Sequence, residues 1–116
     1  MVNFKNENRY SFERVSGLVL DMQSRLLDGI EEKDDLVDAV SIFIKAMNLF
    51  EIQTVITEQV PAKLGGTCGE ISSLCPDSPS FSKKTFSAFG ESSFASWVEQ
   101  EKIEHLIITG IETPIC

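Results

Sequence analysis

Apolar and polar positions fall into short blocks along the chain, and each block carries its own period. Residues 15–21, VSGLVLD, form an apolar run closed by an aspartate, too short for a helix and readable as a buried strand. MQSRLLDGI follows as a connecting stretch with Gly29 as a breaker. From 33 to 50, Leu36, Val40, Phe43, Ile44 and Met47 recur at helical spacing, and the preceding EEKDD places carboxylates at the positive end of that predicted helix. Residues 52–57, IQTVIT, read as a second strand.

Residues 61–80, PAKLGGTCGEISSLCPDSPS, are rich in Gly, Pro and Ser and read as loop, with room for a short helix at 69–74. A short strand and a turn are expected within 81–89. Residues 92–102 put Phe94, Trp97 and Val98 on one face, which predicts a second helix with a Ser cap. Residues 104–110, EHLIITG, are another strong strand. Helices alternating with apolar strands predict an α/β fold, a parallel sheet with helices on its faces.

Composition narrows the class without naming it. The 116 residues suit one domain, and 42% hydrophobic with 24% charged residues is ordinary globular composition. A net charge of −8 and a pI near 4.5 argue against nucleic acid or an anionic membrane as partner, because phosphate binding needs clustered Lys and Arg. The first 14 residues are polar and irregular, with no apolar core of a signal peptide, and read as a leader draped over the surface. Three cysteines, an odd number, favour free thiols in a reducing cytoplasm.

The chemistry is sought where parallel strands end, since ligands bind beyond their carboxyl ends. The first strand ends at Asp21, the second at Thr57-Glu58-Gln59, and the third runs through Gly110 into ETPIC. An acid, a polar trio and a thiol therefore reach one edge, and FSKKTFSAF brings two lysines near it. A cation beside a thiol raises the share of reactive thiolate, and a carboxylate can hold the cation and move a proton. Each piece alone is ordinary: Asp also ends turns, a lone Cys is often a small buried hydrophobe, and loop lysines are usually solvated.

Taken together, LVLDMQ, VITEQVPAKLG, KKTFSAF and LIITGIETPIC resemble the isochorismatase-like cysteine hydrolases, in that family's order, over most of 15–116. The resemblance implies a Rossmann-like three-layer α/β/α fold, with only the N-terminal part of the sheet in this chain. It implies Asp21 as catalytic acid/base, Cys116 as nucleophile and a lysine of KKTFSAF as the cation: Lys83 by counting back from Ser87, with Lys84 as the alternative. It further implies a non-proline cis peptide at Ile111–Glu112 and an oxyanion hole from backbone N–H groups near 113–116. The implied reaction is hydrolysis of a small amide or related C–N bond through a thioester. The full-length family often forms homo-oligomers.

The Asp-x-His metal motif of nicotinamidase-like relatives is replaced here by TEQVP, so no zinc or iron site and no cofactor is expected. Isochorismatases proper do not need this cysteine, so Cys116 argues against their substrate. Cys68 and Cys75 have poor zinc spacing and no second pair. His105, the only histidine, lies at the far end of a strand from Cys116 and is expected on the surface. Gln59, Phe86 and Phe89 are weaker candidates for substrate contact. Relatives continue past the cysteine, so the domain of 15–116 is expected to be incomplete at its C-terminal side. The competing expectation is a non-catalytic remnant that is inert or pairs with a longer homologue.

Overall fold

A computed structural model of the chain describes residues 14–111. In order, β1 is Val15–Leu20, α1 Ser24–Leu27, α2 Lys33–Leu49, β2 Gln53–Gln59, α3 Pro61–Leu64 and α4 Gly69–Ser72. They are followed by β3 at Ser80–Lys83, a 3-10 turn at Ala88–Gly90, α5 at Ser92–Gln100 and β4 at His105–Gly110. All strand pairs are parallel, in the order β3-β2-β1-β4. The sheet carries helices on both faces, the α/β arrangement its patterning predicts.

Alternation along the central strands sorts the core into two layers. Val19 of β1 and Ile56 of β2 point to the face covered by α1, α2 and α4, where they meet Leu27, Val40, Ile44 and Ile71. Leu18, Leu20 and Val55 point to the other face and meet Phe94 of α5, with Phe81, Trp97 and Val98 around it. Burying such side chains contributes roughly 1.5–3 kcal/mol each. Phe94 is locked edge-on against Phe81, with ring centroids 5.6 Å apart. Gly17 lets α2 lie close on β1: a methyl group there would meet Met47 and Phe43 at 3.2 Å.

Several expectations need correction. The connecting stretch after β1 contains the one-turn helix α1, and the 61–80 loop contains α3 as well as α4. The second strand runs two residues further than its apolar run, through Gln59. The Ser cap of the last helix is not formed: Glu91 occupies the cap position and no side chain caps it, while Ser87 caps the preceding 3-10 turn by accepting from the Phe89 N–H. The polar leader and the segment from Glu112 to Cys116 lie outside the described residues, apart from Arg14 at the leader's end. Arg14 pairs with Glu104 at 2.8 Å on the surface and ties the starts of β1 and β4. Among the described residues, no helix is long and apolar enough to cross a membrane.

Candidate active site

The carboxyl ends of β1, β2 and β3 meet at a buried ion pair. Asp21 follows β1 directly and adopts the left-handed conformation, φ 53°, which aspartate tolerates better than most residues. Its N–H donates to the Thr57 carbonyl at 3.1 Å, so the turn is fixed to β2. Lys83 ends β3; strand alternation sends its side chain inward and leaves its neighbour Lys84 exposed. Lys83 Nζ lies 2.9 Å from Asp21 Oδ2, and the lysine side chain has no solvent exposure.

The surroundings of Nζ consist of acceptors. Besides Asp21, it donates to Gln59 Oε1 at 2.8 Å and to the Phe86 and Thr85 carbonyls at 2.7 and 3.2 Å. An ammonium has three N–H donors, which this shell uses in full; a neutral amine would turn a lone pair toward an acceptor. The shell therefore fits a fixed cation. Asp21 is held from its other side, where Thr57 Oγ1 donates to Oδ1 at 3.0 Å. A buried charge without such partners would cost several kcal/mol.

The trio at the end of β2 divides three tasks. Thr57 holds Asp21, and Gln59 holds Lys83. Glu58 accepts from the Thr67 N–H at 2.6 Å and from its hydroxyl at 2.8 Å, which ties the loop after α3 to the strand end. Gln23, fully buried, locks the same corner: its Nε2 donates to the Gln59 and Gly65 carbonyls, and its Oε1 accepts from the Gln59 N–H at 2.6 Å. Val60, next in line, is forced to φ 37°, ψ 64°, a strained backbone for a β-branched residue. Sequence reading named Thr57 and Glu58 only as part of the strand end, and it gave no role to Gln23, which closes the LVLDMQ block. The one available signal was its place two residues beyond Asp21.

The remaining candidates lie as follows. Phe86 and Phe89 have largely exposed rings. Phe86 contributes its backbone carbonyl to Lys83, and Phe89 packs edge-on against Phe94 at 5.1 Å. Ile111 is buried in the α2-side layer, and its N–H reaches the Leu20 carbonyl at 3.3 Å, one residue before Asp21. Gly110, at φ 128°, makes this approach possible, because a methyl group there would come within 2.3 Å of the Leu20 oxygen. Glu112, the Ile111–Glu112 bond and Cys116 lie outside the described residues. His105 is exposed at the start of β4.

Cys68 and Cys75 are buried and unbonded to each other in the α2-side layer, with the Cys68 N–H donating to the Met22 carbonyl at 2.8 Å. Burial pushes both thiols above the ordinary value. At Cys68 a backbone hydrogen bond from Ile71 partly opposes the rise and the Glu70 carboxylate adds to it, while at Cys75 a hydrogen bond from Ser78 partly opposes it. Among the described residues, no group of three or more His, Cys, Asp or Glu side chains is placed to hold a metal ion.

Compared with known proteins, the sequence matches the Isochorismatase domain over residues 17–116. Among solved structures, the MAR1 ribonuclease of Caenorhabditis elegans is 25% identical, with a TM-score of 0.77 over 93% of this chain and 55% of that one. A hypothetical protein from Trypanosoma cruzi is 25% identical, TM-score 0.76, over 89% of this chain and 53% of that one. The YcaC gene product of Escherichia coli, an octameric hydrolase of unknown specificity, is 22% identical, TM-score 0.77, over 97% and 57%. The chain thus spans a little over half the length of these solved proteins. No match was found among curated proteins.

Proposed function

The chain belongs to the isochorismatase domain family, and we propose that it carries the chemistry of a cysteine-dependent hydrolase acting on a small amide or related C–N bond. The observation that carries this reading is the buried Asp21–Lys83 pair at the carboxyl edge of a parallel sheet. The chain leaves β4 beside that pair, at Ile111, and Cys116 is five residues further on. Five residues span at most about 18 Å, a reach that allows the thiol to meet the pair.

In the proposed reaction Asp21 accepts the proton of the Cys116 thiol, and the Lys83 cation stabilises the thiolate. The sulfur attacks the carbonyl carbon, and its oxygen takes up the charge under backbone N–H groups near 113–116, with Ile111–Glu112 shaping that turn. The C–N bond breaks as the amine leaves with a proton from Asp21. Water, activated by the same carboxylate, then hydrolyses the thioester and frees Cys116.

A nucleic-acid substrate, suggested by the description of the C. elegans neighbour as a ribonuclease, is disfavoured by the −8 net charge. Assembly into a homo-oligomer belongs to the same proposal, the E. coli neighbour being octameric. A second reading, a chain that acts only when paired with a longer homologue, draws support from β4. Among the described residues β4 is an edge strand, with Ile107 and Ile108 42% and 44% exposed.

Thiol labelling tests the first reading. At neutral pH iodoacetamide should modify Cys116 well ahead of Cys68 and Cys75, and Lys83→Ala should slow it. The two buried thiols act as an internal control, since unfolding of the variant would make all three react together. Slow labelling of Cys116 in the folded wild type, unchanged by Lys83→Ala, would sink the hydrolase reading.

A further inference from the structure

We infer that Gln59 is a positioning residue for the lysine, aiming and holding the Lys83 ammonium and not contacting substrate. Both ends of its side-chain amide are committed to protein. Oε1 accepts from Lys83 Nζ at 2.8 Å, and Nε2 donates to the Lys84 carbonyl at 3.2 Å. One amide thus grips the lysine's charged tip and the backbone of the next residue, clamping the end of β3 from both directions. Gln59 is itself immobilised, because Gln23 pairs with its N–H and its carbonyl in the manner of a backbone bridge. Directly after it the chain passes through the strained Val60, whose N–H donates to the Lys83 carbonyl at 2.9 Å. Such strain persists only where neighbours over-determine the backbone. The Gln23–Gln59 pair supplies that determination.

The geometry also gives the reason for an amide at this position. Nζ already faces one carboxylate, and a second carboxylate would oppose a thiolate forming nearby. An apolar residue would leave an ammonium N–H without a partner in a dry site. A neutral acceptor with a donor on its far end meets both requirements.

The inference rests on the reading of Lys83 as the cation that serves Cys116, and two readouts separate the fates of the two ideas. The first is the side-chain 15N signal of the Lys83 ammonium in the intact protein, which does not depend on Cys116. Wild type should show a distinct, slowly exchanging signal; Gln59→Leu should broaden or abolish it, and Gln59→Glu, which keeps an acceptor oxygen, should restore it. The second is the pH dependence of Cys116 alkylation by iodoacetamide. Gln59→Leu should slow labelling at neutral pH roughly tenfold, the scale of one hydrogen bond to a charged group. Gln59→Glu should keep the limiting rate and move the half-maximal pH upward.

A Lys83 signal and an alkylation profile in Gln59→Leu identical to wild type would overturn the inference. Should that variant not fold, an unshifted profile in Gln59→Glu would do the same. If Lys83→Ala leaves Cys116 alkylation unchanged while Gln59→Leu still disturbs the Lys83 signal, the positioning role stands and the hydrolase reading falls.

Discussion

Asp21 and Lys83 are as buried as Cys68 and Cys75, yet the first pair is held as ions and the second as neutral thiols. The difference is the company each keeps. The ion pair sits where three parallel strands end, and strand ends expose carbonyls and polar side chains that converge on it. The thiols sit among Val40, Ile44 and Ile71, with no opposite charge beside them, and the hydrogen bonds they receive only partly offset burial. Burial alone therefore does not make a group reactive. This sheet edge supplies four acceptors, one of them a counter-charge; the helix–sheet interface supplies only hydrogen bonds too few to offset burial.

The strongest way to break this contrast is Asp21→Asn. It leaves the Lys83 ammonium buried without a counter-charge and should cost about 3–5 kcal/mol of stability in urea unfolding. The double variant Asp21→Asn/Lys83→Met should recover part of that loss, since it removes both charges. A loss under about 1 kcal/mol for the single variant would mean that water reaches the pair in solution.

A smaller effect is expected from Thr57→Val, which keeps the shape and removes the hydroxyl that donates to Asp21. It should cost about 1.5–3 kcal/mol, the range for a hydrogen bond to a charged group. If the cost is negligible, Asp21 is held by Lys83 alone.

The subtlest test lies on the thiol side. The folded values of Cys68 and Cys75 are raised above the ordinary 9.0, so the folded chain binds these protons more tightly than the unfolded one. Their contribution to stability should be intact below pH 9.0 and lost as pH rises through the raised folded values. Urea midpoints measured from pH 7 to pH 10 should fall more in wild type than in Cys68→Ala/Cys75→Ala. Equal slopes would show that the thiols are solvated.

Legibility in the sequence differed sharply between elements. α2 was readable because 17 residues give helical period several turns to repeat, and β1 because a six-residue apolar run between polar neighbours has few other solutions. α1, α3 and α4 are single turns of four residues, too short for a period to show. Asp21 and the lysine pair were legible as residue types at strand ends. Gln23 was not, because its work is done by a side-chain amide imitating a backbone bridge to residues 36 and 42 positions away. Two of the four acceptors around Nζ are main-chain carbonyls, of Thr85 and Phe86, and a carbonyl has no identity in a sequence.

The sequence by itself determined which segments are strands and long helices, which faces are apolar, and that an acid and a cation belong to one edge of a parallel sheet. Those are local properties, set by side-chain type and period within a few residues. Only the tertiary structure decided the strand order, the inward turn of Lys83 over Lys84, and the tasks of Thr57, Glu58, Gln59 and Gln23. The physical reason is that a buried charge is stabilised by the sum of its partners. Here those partners come from positions 21, 59, 85 and 86 and meet only when β1, β2 and β3 lie side by side.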